Sequence, residues 1–244
     1  MKETNFPTEV IDLPSKGLIY PKDHILSSGK VLMKYMTSKE EDILTNENYI
    51  EKKIVFDKLL ESLTINKFDI KDLHPGDKNS LLVAGRILGY GTKYEFIYKD
   101  EKIEVDLNEL SNKPFDENLI TENGTSLFTL PTSGVEVEFK FLNEKELDNI
   151  EKEVKKIQRF NPNVGELSIR LKHTLVSVGG NSDRNYVDSF VDNTILARDT
   201  RALRNHIRKI SPDIDLRIIL GESEEEVTIP INLSFFWPDF GIDR

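Results

Sequence analysis

Residues 228–240 constrain the fold more than any other part of this chain: a strand-like Thr228-Ile229-Pro230-Ile231 leads into Phe235-Phe236-Trp237-Pro238-Asp239-Phe240. Three consecutive large aromatics cannot stay in water cheaply, because covering each is worth on the order of 2 kcal/mol. This segment therefore docks, either on the chain's own core or on a neighbour. The other end carries a matching irregularity. Leu13-Pro14-Ser15-Lys16-Gly17-Leu18-Ile19-Tyr20-Pro21 sets stiff prolines and apolar side chains around one glycine with no regular period. Together with Pro7 and Gly29 it reads as an extended arm over residues 1–30. The candidate partner-binding residues are accordingly Leu13, Pro14, Gly17, Tyr20 and Pro21 at one end and Phe235, Phe236, Trp237 and Pro238 at the other.

Between these ends, 38% hydrophobic residues in a length of 244 supply a real core. The balance of 33 Lys plus Arg against 43 Asp plus Glu leaves a net charge of −10, which argues against a dedicated nucleic-acid binder. Cysteine is absent, so disulfides, thiolate catalysis, cysteine-ligated zinc and iron–sulfur clusters are excluded. No apolar run approaches the ~20 residues of a membrane span, and Met1-Lys2-Glu3-Thr4-Asn5 does not open a signal core. A soluble, intracellularly folded protein is the expectation.

The patterning predicts an α+β fold of several amphipathic helices with two or three antiparallel hairpins. A short strand is expected at 30–36. Thr37 and Ser38, three residues before Glu40 and Glu41, form a capping box that starts a helix through Leu44, and a second helix spans about 50–63. Asp77, after His74-Pro75-Gly76, reads as the cap of a helix that stops at Gly89-Tyr90-Gly91. Alternation predicts hairpins at 94–107, linked by Lys99-Asp100-Glu101-Lys102, and at 126–141. Asn143 with Glu146 opens a charged helix to about Arg159, and helices at about 164–178, 183–196 and 199–210 precede a last hairpin at 216–231. Helices followed by a hairpin thus occur twice, a weak internal duplication. The sequence divides into an arm (1–30), a helical and hairpin lobe (31–142), a helical lobe with a closing hairpin (143–232) and an aromatic tail (233–244).

Chemistry is hard to find in this pattern. His24, His74, His173 and His206 lie too far apart for a local metal or nucleophile-base spacing, and no glycine run has the context of a phosphate loop. Among the carboxylates, Glu40, Glu41 and Asp77 are the acids that a two-carboxylate hydrolase would draw on. No cofactor, metal or catalytic residue is assigned. One concentration of charge stands out: Arg198, Arg201, Arg204, Arg208 and Lys209 recur every three or four residues along a helix. They form either a solvated face paired with nearby acids or a docking ridge for an acidic partner.

Taken in order, these features resemble the baseplate hub subunit and hub-assembly proteins of T-even-type contractile-tailed bacteriophages, the T-even base plate proteins. The resemblance rests on Leu13-Pro14-Ser15-Lys16-Gly17 with Tyr20-Pro21, Met36-Thr37 with Glu40-Glu41 and Ile43-Leu44, and Asp77, Leu81-Leu82, Arg86 and Gly89-Tyr90-Gly91-Thr92-Lys93-Tyr94. It continues through Val105-Asp106-Leu107 and closes on Ile229-Pro230-Ile231 with Phe235-Phe236-Trp237-Pro238. The resemblance implies cysteine pairs in two hairpins, as in small zinc ribbons. This chain has none at Tyr98–Glu101 or Leu220–Ser223, so its hairpins are expected to be held by packing alone. It further implies a non-enzymatic virion component or assembly factor, a late protein of the tail baseplate that passes through the host cytoplasm during assembly. Its partners would be other hub or tape-measure proteins, with no nucleic acid and no membrane span expected. Oligomerisation within the assembly stays open. The alternatives are a tail-assembly chaperone that never enters the particle and, from another class, a tail-associated cell-wall hydrolase.

Overall fold

The computed structural model of the chain describes residues 7–160, 165–220 and 225–236. The fold is α+β, with helices interleaved among small antiparallel sheets of two or three strands. Strand β1 (Thr8–Asp12) pairs antiparallel with β2 (Lys30–Lys34), placing Val10 opposite Leu32. Between them the expected extended arm is instead a compact loop. The Leu13 N–H donates to the Gly29 carbonyl at 2.8 Å, consecutive turns run from Leu13 to Tyr20, and a 3-10 turn follows at Ile25–Ser28. Prolines and glycines break any period, so an arm and a tightly turned loop look alike in sequence. Gly17 decides for the loop: its φ is +80°, and a Cβ there would sit 2.4 Å from the Ser27 carbonyl oxygen.

Helix α1 (Ser38–Leu44) starts at the Thr37 capping box as expected, Glu40 accepting the Thr37 N–H at 2.9 Å. The helix expected at 50–63 is two, α2 (Glu47–Glu51) and α3 (Val55–Leu63), because Lys53 between them adopts φ 57°. Helix α4 (Pro75–Tyr90) begins before Asp77. Its cap is His74, whose Nδ1 accepts the Gly76 N–H at 3.2 Å, with Pro75 preset for the first turn. Strands β3 (Lys93–Tyr98) and β4 (Glu101–Asp106) turn on only Lys99 and Asp100, both at positive φ.

Strands β5 (Thr125–Thr129) and β6 (Glu136–Lys140) precede α5 (Glu144–Gln158), which opens on the predicted Asn143–Glu146 box. The helix expected over 164–178 ends early. Helix α6 (Glu166–Thr174) gives way to β7 (Leu175–Val178), a Leu-Val-Ser-Val run that gains a ladder beside β6 and buries Leu175 and Val178. Helices α7 (Arg184–Asn193) and α8 (Ala197–Ile210) lead to β8 (Arg217–Leu220), β9 (Glu225–Thr228) and a last turn, α9 (Leu233–Phe236).

The buried side chains gather into two main cores that cut across the lobes read from sequence. The first joins Leu13, Val31 and Met33 to α3, α4 and the β3–β4 hairpin, and it also takes Val227 and Ile229 of the closing segment with Phe235 and Phe236. The second places the β5–β6–β7 sheet against α7 and α8 around Phe139, Leu175, Val187 and Leu203. Thus β5–β6 belongs with the later helices and β8–β9 with the earlier ones. An amphipathic hairpin fits whichever apolar face the fold brings to it, regardless of order along the chain. A small third cluster, Ile150, Val154 and Ile169, joins α5 to α6.

Candidate protein-binding site

Most residues singled out at the two ends are spent inside the molecule. Leu13, Pro14, Gly17, Tyr20, Phe235 and Phe236 are buried, Pro21 is exposed, and Trp237 and Pro238 lie outside the described residues. Of the two destinations left open by the sequence, the described part of each end takes its own core. Phe235 meets Tyr94 edge-on at 4.8 Å between ring centroids, and Phe236 packs on Phe56 at 5.6 Å. Arg86 ties this corner together, donating to the carbonyls of Phe235 (2.8 Å), Gly91 (3.0 Å) and Lys93 (3.1 Å). Its spacing in sequence gave no sign of that role.

Asp77 does the same for the N-terminal loop. Its carboxylate accepts the Tyr20 hydroxyl at 2.5 Å and the Ser15 N–H at 2.9 Å, while the Tyr20 oxygen accepts the His74 N–H at 3.0 Å. Burial pushes the Asp77 carboxyl upward against the pull of these donors, and it raises the Tyr20 phenol well above its ordinary range. Burial also lowers His74 to about 4, so the imidazole is neutral. Beside this node, a Cβ on Gly76 would fall 2.0 Å from the Pro212 carbonyl oxygen, so the start of α4 abuts the segment after α8.

The remaining hydrolase candidates are similarly committed. Glu40 is fully buried and accepts from Lys34 (2.7 Å), Ser62 (2.6 Å) and Thr37; these hydrogen bonds outweigh the opposing effect of burial and bring its pKa to about 2. Glu41 accepts the Tyr90 hydroxyl at 3.3 Å. His24 caps the Ile25–Ser28 turn, His173 contacts Glu153 at 2.8 Å, and His206 stacks on Phe128 at 4.4 Å. Among the described residues no three His, Cys, Asp or Glu side chains gather to hold a metal. The hairpin tips are not held by packing alone: Glu225 of β9 accepts from Tyr98 (2.8 Å) and Lys99 (2.6 Å) of the other hairpin.

What remains open lies on α8. Arg198, Arg201, Arg204, Arg208 and Lys209 are all exposed, and none has an ion-pair or hydrogen-bond partner among the described residues. Among the described residues, then, the stripe is a solvated face without paired acids. Arg204 and Arg208 border a groove of about 550 Å³ where the starts of α4 and α5, the end of β6, α6 and α8 meet. Its apolar lining is Phe141, Leu142, Leu147, Leu167, Leu171 and Ile207, of which Leu167 is 39% exposed. Lys140 and Arg170 add positive charge; Lys140 is held by Glu146, and Arg170 lies 3.7 Å from Glu166, the one carboxylate in the lining. The hydroxyls of Thr174 and Ser211 donate to the carbonyls of Arg170 and Ile207 in their own helices. The result is an apolar trough with a cationic rim. The helical period made the rim legible in sequence, but nothing local marked the trough, which draws on four separate stretches of chain.

No protein family, curated protein or solved structure matches this chain.

Proposed function

We propose that the chain is a non-enzymatic structural or assembly component of a contractile-tail bacteriophage baseplate hub, acting by binding other hub or tape-measure proteins. One observation carries the reading. The scattered residues on which the resemblance rests meet in space and hold one another: Ser15 and Tyr20 on Asp77, and Arg86 on the carbonyls of Gly91, Lys93 and Phe235. Their packing on one another supports reading these motifs as one unit of the fold. The commitment of Glu40, Glu41 and Asp77 to fold contacts supports a binding role over hydrolysis. The unpaired ridge on α8 supplies a surface for it.

The test is immunoprecipitation of the tagged full chain from phage-infected cells. Hub or tape-measure proteins are the expected co-precipitants, and recovery of no tail protein overturns the reading. Mass spectrometry of purified virions then separates a permanent subunit from a chaperone left behind in the host cytoplasm.

A further inference from the structure

We infer that the groove between α6 and the C-terminal half of α8 receives an acidic amphipathic segment of a partner protein. The segment's apolar side chains lie on Leu147, Leu167 and Ile207, and its carboxylates face Arg204 and Arg208. This rests on the reading of the chain as a protein-binding component and names the chemistry of the partner.

Charge is the first argument. The chain as a whole is at −10, yet α8 carries five exposed cations with no partner among the described residues, and two of them, Arg204 and Arg208, stand side by side on the border of this groove. What sets Arg204 and Arg208 apart from the other exposed cations is their place: both line an apolar groove and neither is spent on an acid, as Lys172 is on Asp192 at 2.7 Å and Arg184 is on Asp188. Screening limits the pull of distant acids to about a Debye length, on the order of 8 Å, so an approaching carboxylate senses the local arginines more than the net charge.

The second argument separates a peptide from other anions. A small-molecule site needs free, convergent polar groups to fix orientation. Here Thr174 and Ser211 are spent on helix carbonyls and Lys140 on Glu146, leaving long arginines above an apolar floor. That combination suits side chains arriving from an amphipathic helix or strand, whose apolar face fills the trough while its acids meet the rim. Single-stranded nucleic acid would want exposed rings for stacking; the aromatic residue in the lining, Phe141, is itself buried and meets His74 edge-on at 6.2 Å.

The probe is a fluorescein-labelled synthetic helix of about four turns, ~14 residues, with Leu on one face and Glu on the other. Its controls are a scrambled peptide, a version with Lys in place of Glu, and duplex DNA. Anisotropy with the full chain is expected to show saturable, salt-sensitive binding of the acidic peptide alone. The exposed double change R204E/R208E is expected to weaken it about tenfold or more. Leu167→Asp weakens it comparably, while R198E, outside the groove, changes it little. Binding that R204E/R208E leaves intact, no binding by folded wild type, or preferential binding of DNA each overturns the inference. The same R204E/R208E chain is then carried into the infected-cell immunoprecipitation. If wild type and variant recover tail proteins equally, the groove proposal fails and the assembly reading stands. If wild type recovers none yet binds the peptide through the groove, the assembly reading fails and the groove stands.

Discussion

The N-terminal loop and helix α8 both drew notice in sequence, and the fold treats them in opposite ways. Around Leu13–Tyr20, prolines, apolar side chains and a tyrosine pack inward beside Asp77, and the Asp77 carboxylate, the Tyr20 hydroxyl and the Ser15 and His74 amides find partners in one another. On α8, five cations are exposed without one among the described residues. An apolar residue is satisfied by any covering, and its own chain is always nearest. An exposed charge is satisfied by water and stays free for a partner. Salient apolar motifs therefore mark the fold, while unneutralised charge beside an apolar trough marks the contact surface proposed above.

The comparison is most easily broken at the aromatics. Phe235→Ala and Phe236→Ala should each cost about 3–5 kcal/mol in urea denaturation, as for other buried rings. If either variant stayed as stable as wild type and lost only binding, the covered end would be an interface after all. Acid comes next. The His74 pKa of about 4 lies below its ordinary 6.5, so its contribution is whole above pH 6.5 and is lost as pH falls toward 4, by on the order of 3 kcal/mol. Glu40, lowered to about 2, adds a loss at still lower pH, and Asp77, raised by burial, runs the other way. His74→Asn keeps a capping acceptor, and its stability should flatten between pH 6.5 and 4 in a series of urea midpoints; an unchanged slope would place His74 in water.

Smaller effects sharpen the contrast. Tyr20→Phe removes the hydroxyl shared by Asp77 and the His74 N–H and should cost about 1–3 kcal/mol in the same assay. R204E/R208E should leave stability within about 0.5 kcal/mol of wild type, as surface changes do. A large loss there would mean that the ridge holds the fold instead of a partner.

Local signals carried the secondary structure well. The Thr37–Glu40 and Asn143–Glu146 boxes each satisfy helix-end amides within a few residues, so three-residue spacing was enough to place α1 and α5. Failures occurred where a distant partner decides. Leu175–Val178 is a strand because β6 lies beside it, and Leu13–Tyr20 is a packed loop because Asp77 waits on α4. The candidate site divides along the same line. The arginine period on α8 is written in consecutive turns, but the trough is made by segments near residues 74, 141, 167 and 207 and exists only once they meet.

Arg86 donates to the Phe235 carbonyl across 149 residues of chain, and the core it serves begins at Leu13. During synthesis, then, the earliest core cannot close on itself as the ribosome delivers it. It must wait, with Tyr94 and Phe56 unmet by their aromatic neighbours, until residue 236 has emerged. A chain ending short of these residues leaves that core without two of its fully buried rings.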